Sequence, residues 1–343
     1  MDPITQGVLG ASVPQAIATK KHIVAATVFG ALAGMSPDLD NLIRSGTDPL
    51  LRMEYHRQFT HSLVFIPVGA LICALLFYFL FSRRWQINFK YTYIYCLLGY
   101  ATHGLLDACT SFGTQLLWPF TNERFAFNTI SIIDPLFTLP LLVLVILGVK
   151  KKSARFGQAA LCWVLIYQGL GFYQHQRVMG IGAQLAEQRQ HVPVRMEVKP
   201  SFGNLLLWKV IYEIEDGYHT DAVRAARDVT IYPGGFIPKL NIDSDLPWLD
   251  KDSQQAKDIQ RFGWFSKGYL TLDPTNPLRI TDMRYSMVPN ESQGMWSIWV
   301  DPAAAEGDHV TMKQDRDTSA SRRAKLMLML QGKDLEPDSS SGL

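Results

Sequence analysis

The chain has 343 residues, 48% hydrophobic and 19% charged, with a formal net charge of +2. These averages exclude a disordered chain, a collagen and a strongly basic partner of nucleic acid, so no specific nucleic-acid binding is expected. A mean hydropathy of +0.03 hides a division. Residues 1–175 hold 13 basic and 8 acidic side chains, whereas residues 176–343 hold 20 and 23. A membrane half followed by a soluble half is therefore expected, and the length suits two domains of about 150 residues each.

In chain order, residues 4–19 and 23–34 are apolar but short, and Lys20 and Lys21 separate them. They are expected to form a helical hairpin packed against longer spans. A cleaved signal peptide carries its basic residues ahead of the apolar run, but here Asp2 precedes it and the lysines follow. Residues 63–82 run for twenty positions without a charge, enough for a helix to cross about 30 Å of hydrocarbon. Residues 91–108, 130–149 and 156–173 complete four expected spans, the first two carrying His103, Asp107 and Asp134. Lys20 and Lys21, then Arg83, Arg84 and Lys90, then Lys150, Lys151, Lys152 and Arg155 mark every second loop as cytoplasmic. The alternate loops hold only Arg44, Arg52, Arg57 and Arg124. The amino terminus, residues 36–62, residues 109–129 and everything after about 175 are then extracytoplasmic.

In the second half, residues 204–215 alternate around Leu206, Trp208, Val210, Tyr212 and Ile214, the period of a half-buried strand. Further strands are expected at 229–232, 268–272, 278–285 and 295–300, with turns at 233–235, 273–277 and 289–290. Residues 252–262 and 319–331 read as helices. The expected fold is an α-helical multi-pass membrane domain over 1–175, a soluble, strand-rich α+β domain over 176–335 and a loose tail over 336–343. Cys73, Cys96, Cys109 and Cys162 lie in apolar stretches without a CxxC pair, so they read as packing residues.

Ionisable groups inside spans are costly unless they have partners, which makes His103, Asp107 and Asp134 functional candidates. His103 and Asp107 are four apart, on one helix face. Ser36-Pro37-Asp38-Leu39-Asp40-Asn41 sets two carboxylates in a turn, with Ser36 and Pro37 as cap and first residue of a short helix. In His56-Arg57-Gln58-Phe59-Thr60-His61-Ser62 the histidines are five apart. His56 is expected in the loop and His61 just inside the next helix, which Thr60 would cap. Asp134 before Pro135 reads as a helix start. All these groups fall at the extracytoplasmic ends of their segments, although the orientation came only from Lys and Arg, and Thr5 and Gln6 join them there. Convergence from five segments points to a shared metal site.

The stretches SPDLDN, HRQFTHS, HGLLDACTSFGTQLLWPF and IIDPLFTLPLL, with the opening MDPITQG, resemble the membrane-bound metal-dependent hydrolase family, the YdjM-like bacterial inner-membrane proteins. The resemblance covers about the first 175 residues. Many members have His at the position of Gln6, so this chain departs from them there. The family is distantly similar to zinc-dependent phospholipase C and related nucleases, which implies phosphodiester chemistry and an inner-membrane location.

Imidazole and carboxylate without thiolate suit Zn first, then Mn or Fe. His56, His61, His103 and Asp107 are the expected core ligands, with Asp38 or Asp40 bridging or binding a second ion. Asp134 is expected as a further ligand or as the base that handles the proton of water, and Arg57 as the holder of a substrate phosphate. The expected function is hydrolysis of a phosphoester or lipid-linked substrate at the extracytoplasmic face of the bilayer. The alternative is a non-catalytic membrane protein with a structural metal and a partner-binding soluble domain. A transporter would place the same residues nearer the bilayer midplane.

Overall fold

A computed structural model describes residues 1–335, and the tail expected at 336–343 lies outside the described residues. The chain forms two compact units. One comprises Met1–Arg44, Glu54–Tyr173 and Phe202–Asn204, and the other comprises Ser45–Met53, Gln174–Ser201 and the chain from Leu205 onward.

The first unit is helical. Helix α1 (Pro3–Ile17) starts where the Asp2 side chain accepts the Thr5 N–H and Pro3 fills a position that needs no donor. It pairs with α2 (Ile23–Met35) as the expected hairpin. A Cβ built on Gly30 of α2 would lie 2.4 Å from the Gly10 carbonyl oxygen, and one on Gly99 would lie 2.3 Å from that of Gly30. Three helices thus meet backbone to backbone, the close packing by which small residues join helices in an apolar solvent. After the short α3 (Leu51–Tyr55), α4 (Ile66–Phe77) is flanked by a 3-10 turn at Leu63–Phe65 and a π turn at Tyr78–Ser82. Helix α5 (Phe89–Cys109) is capped by Asn88, which accepts the Tyr91 N–H. Helix α6 (Pro135–Lys151) starts at Asp134 and ends with Lys150 and Lys151 against its negative pole. Helix α7 (Ala154–Gln188) carries the chain out of this unit.

The run Leu63–Ser82 is the one helix among the described residues long and apolar enough to cross a membrane by length and composition. Of the other three expected spans, α5 is long enough but carries tyrosines, His103 and Asp107, and α6 has only 17 residues because Asp134 and Pro135 start it late. In α7 the apolar stretch runs directly into polar sequence within one helix of 35 residues.

The second unit contains two four-stranded antiparallel sheets, each in sequential order. The first joins β1 (Arg195–Pro200), β2 (Leu207–Glu213), β3 (Gly217–Ala225) and β4 (Val229–Pro238). The second joins β5 (Leu270–Asp273), β6 (Asn276–Asp282), β7 (Trp296–Trp299) and β8 (Thr311–Gln314). With them go the end of α7 from Gln174 and, among the described residues, α8 (Ile242–Asp245), α9 (Gln254–Phe265) and α10 (Ala320–Gln331).

Two expectations change here. The turn at 233–235 lies inside β4, because the register against β3 shifts between His219 and Asp221 and a bulge absorbs the Pro-Gly-Gly run. Strand β2 is buried on both faces rather than one. On one face Leu207 packs with Ala222, Tyr232 and Met329 of α10 and Ile211 with Tyr218, Ile237, Tyr269 and Met283, and on the other Trp208, Val210 and Tyr212 are fully buried.

Candidate metal centre

The site is assembled from two loops and one helix of the first unit. Asp38 and Asp40 sit on a 3-10 turn, Ser36–Leu42, that follows directly from α2. Ser36 does not cap it, since its hydroxyl donates back to the Ala33 carbonyl. His56 follows α3, and His61 closes a second 3-10 turn, Phe59–His61. Thr60 is not a helix cap either, because its hydroxyl donates to Asp40 Oδ2 at 2.8 Å. The cap ahead of α4 is Ser62, whose side chain accepts the Phe65 N–H. His103 and Asp107 stand one turn apart on α5, and both are fully buried. Between them a Cβ on Gly104 would lie 2.3 Å from the His61 carbonyl oxygen, so only glycine lets that loop approach the helix.

Asp38, His61, His103 and Asp107 form one group able to hold a metal ion, and Asp38, Asp40 and His56 form a second that shares Asp38. The expected core set therefore changes, with Asp38 taking the place given to His56. The reason is local, because His56 directs Nδ1 to Asp40 Oδ1 at 2.8 Å. In the first group the Nε2 atoms of His61 and His103 are 2.9 Å apart. His61 Nε2 is 3.6 Å from Asp38 Oδ1 and 3.3 Å from Asp107 Oδ2, and the corresponding distances from His103 Nε2 are 3.5 and 3.7 Å. A tetrahedral zinc ion with bonds of about 2.0–2.2 Å separates its ligand atoms by about 3.3–3.6 Å. The four imidazole–carboxylate distances lie close to the edges of such a tetrahedron, and the Nε2–Nε2 edge is shorter.

The imidazole tautomers point the same way. His103 Nδ1 donates to the Gly34 carbonyl at 2.6 Å. His61 Nδ1 faces the Thr60 hydroxyl at 2.9 Å and Asp40 Oδ2 at 3.2 Å, both acceptors. With each Nδ1 carrying the hydrogen, each Nε2 presents a lone pair. Two lone pairs at 2.9 Å repel, so a cation belongs between them, either a metal ion or, without one, the proton that the raised pKa of His61 describes. Asp107 Oδ2, which faces both rings, is buried and is ion-paired with Arg57.

The surroundings concentrate charge. Burial disfavours a cationic His61, but hydrogen bonds to Asp107, Asp38 and Asp40 outweigh it and raise its pKa to about 10. Burial likewise opposes ionisation of Asp38, yet the facing imidazoles of His103 and His61 hold its carboxyl well below the usual range. Asp40 is held low, against burial, by His56 and His61. For His56 burial dominates and lowers the pKa. Arg57 has a left-handed backbone (φ 65°) that lets its N–H donate to Asp40 Oδ2 at 3.0 Å. Its Nε lies 2.9 Å from Asp107 Oδ2 and its Nη1 donates to Thr110 Oγ1 at 2.9 Å. No hydrogen bond holds Arg57 Nη2 among the described residues, so one edge of the guanidinium is available. Asp107 Oδ1 accepts from the Gln6 amide at 2.9 Å and from the Met1 amino group. Gln6 thus holds a ligand candidate in place, and its Oε1 is buried without a partner.

Asp134 stands outside both groups. Its oxygens cap α6 through the N–H groups of Leu136 and Phe137, and the Tyr167 hydroxyl donates to it at 2.7 Å. Arg124 donates to the carbonyls of His56 and Gly113, fixing the loop that carries His56. The sequence reading missed the tying roles of Gln6, Arg124 and the Gly34 carbonyl, for which spacing alone carries no signal. All four cysteines are free.

Comparison with known proteins converges on the same region. Over 99 residues the chain is 33% identical to the inner membrane protein YbcI of Escherichia coli (strain K12), a match covering 28% of this chain and 54% of YbcI. Over 142 residues it is 25% identical to the uncharacterized protein YfhP of Bacillus subtilis (strain 168), covering 39% of this chain and 42% of YfhP. The chain thus spans about half the length of these curated relatives. No solved structure matches it. Residues 1–178, which include every residue of both metal-capable groups, match the YdjM inner membrane protein family, and the chain belongs to that family.

Proposed function

We propose that this inner-membrane protein is a metal-dependent hydrolase acting on a phosphoester or lipid-linked substrate at the extracytoplasmic face. In this reading the first unit crosses the bilayer several times and the second lies outside the cytoplasm. The observation that carries the metal is the four-residue donor group, the Nε2 atoms of His61 and His103 with carboxylate oxygens of Asp38 and Asp107 gathered around one point. Asp38, His61, His103 and Asp107 hold the ion, Zn first and Mn or Fe next, since the donors are imidazole and carboxylate without thiolate. When bound, a divalent cation lowers the pKa of water and polarises a phosphoryl oxygen.

The remaining roles fall to the chain's own groups. Asp40 orients His61 and His56 through their Nδ1 atoms, and Arg57 balances Asp107 while offering Nη2 to an anionic oxygen. Asp38 is 22% exposed and His56 16%, so the site opens on the side of these two residues. A proton released there has His56 and Asp40 as nearby acceptors. A lipid-linked substrate would reach this opening without leaving the bilayer.

A non-catalytic reading also has an observation in its favour, because Asp38, His61, His103 and Asp107 supply the four ligands that structural sites use. Turnover separates the two. The purified chain loaded with Zn or Mn should hydrolyse bis-p-nitrophenyl phosphate or a phospholipid reporter, and His61→Ala and His103→Ala should lose both metal and turnover. Metal content that survives in both variants removes the site. Tight metal with no turnover of any ester or phosphoester favours the structural reading.

A further inference from the structure

The second unit holds a buried acid–imidazole pair that the metal chemistry does not use. Asp258 of α9 is fully buried and accepts four hydrogen bonds. Gln254 Nε2 (3.0 Å) and Arg261 Nη1 (2.8 Å) donate to one oxygen, and His309 Nδ1 (2.8 Å) and the Val310 N–H (3.1 Å) face the other. The carboxylate accepts the Nδ1 hydrogen, so in the neutral tautomer of His309 the lone pair is on Nε2. No protein group among the described residues bonds that atom.

His309 lines a cavity of about 580 Å³, within the range of sites for small molecules. Thr47, Trp299, Asp301, Asp308 and Thr311 share its wall. The indole Nε1–H of Trp299 is buried without a partner. Neither Lys nor Arg lines the cavity, the Lys313 ammonium lying over the Trp299 ring at 4.3 Å, whereas Asp301 and Asp308 both line it. The side chains of Asp301, Asp308 and His309 do not converge as a metal-capable group. What remains is a wall rich in hydrogen-bond acceptors, with hydroxyls and an aromatic edge.

We propose that this cavity is a second ligand site, one that takes a neutral, hydroxyl-rich molecule of the saccharide class, with His309 Nε2 accepting a hydrogen bond from a sugar hydroxyl. Asp301 and Asp308 accept from further hydroxyls, and Asp258 acts by positioning His309. The site is independent of the hydrolase reading, since none of its residues belongs to the metal-capable groups.

Saturation-transfer NMR on the full chain, in a detergent without a sugar headgroup, tests this with cellotetraose, chitotetraose and a sulfated tetrasaccharide. At least one neutral probe should receive saturation and the sulfated one should not. His309→Gln, which cannot present the same lone pair, should weaken binding about tenfold. Asp301→Asn, on an exposed loop, should weaken it several-fold with the thermal midpoint unchanged. Saturation of neither neutral probe, equal saturation of the sulfated one, or unaltered binding by both variants would overturn the proposal.

Discussion

The two units solve opposite problems with the same twenty residues. In the first, Ile72, Leu76, Leu139 and Leu165 lie on the outside, while His61, His103, Asp107 and Arg57 are buried. In the second, Trp208, Tyr212, Tyr218 and Tyr269 are inside, and pairs such as Lys251 with Asp243 lie at the surface. The first unit is held by close backbone contact at Gly10, Gly30 and Gly99, and the second by aromatic burial between sheets and helices. Where the surroundings are apolar, burying a leucine gains little, so cohesion shifts to packing and to polar contacts. Where the surroundings are water, burial of apolar area is the main drive.

The largest test of this contrast is Arg284→Leu in the second unit. Arg284 and Asp282 form a forked pair at 2.9 and 2.7 Å, both buried, so the variant leaves a buried carboxylate unpaired. The expected cost is about 3–5 kcal/mol, read as a fall in the thermal midpoint by circular dichroism. A loss under 1 kcal/mol would mean that water reaches Asp282.

Next comes a pH effect. Burial lowers the Lys209 pKa to about 7, and its Nζ meets two acceptors, Ser286 Oγ and the Glu291 carbonyl. The ordinary value is 10.5, so between pH 7 and 10.5 the unfolded chain binds the proton that the folded chain has released. Stability contributed by this group therefore rises with pH across that window and is lowest below pH 7. The gain should be a few kcal/mol at most, and Lys209→Met should flatten it. A wild-type profile as flat as the variant's would show that Lys209 keeps its charge when folded.

A third test compares two glycines. Gly30→Val drives a side chain into the Gly10 carbonyl and should cost about 1–3 kcal/mol or more, whereas Gly235→Ala, with open space around it, should leave the midpoint where it is. Equal effects would remove backbone packing as the cohesive device of the first unit. Smallest of all is Lys251→Ala. The partners of that ion pair are 75% and 72% exposed, and no shift in midpoint is expected.

Much of this protein is written in local patterns. The charge-free run at 63–82, the helix start at Asp134, the alternation through β2 and the four-residue spacing of His103 and Asp107 follow from periodicity and capping chemistry, which act over a few residues. The segments that carry Asp38, Asp40, His56 and His61 were legible because these groups cluster in the short stretches between apolar runs. Strands β1 and β3 mix charge with apolar residues and gain their burial only from neighbours, and β8 stays largely exposed, so none of the three carries a local signal.

What the tertiary structure alone decided is which atoms meet. Asp38 rather than His56 completes the four-atom group, because Gly104 admits the His61 loop and Asp40 takes the Nδ1 atoms of His56 and His61. Asp134 turned to Tyr167 and the start of α6. The sequence by itself determined the residue types that a metal needs and the segments that carry them, since those depend on side-chain chemistry and local periodicity. Ligand choice depends on distances of a few tenths of an ångström between segments remote in sequence, and only the packed structure sets those.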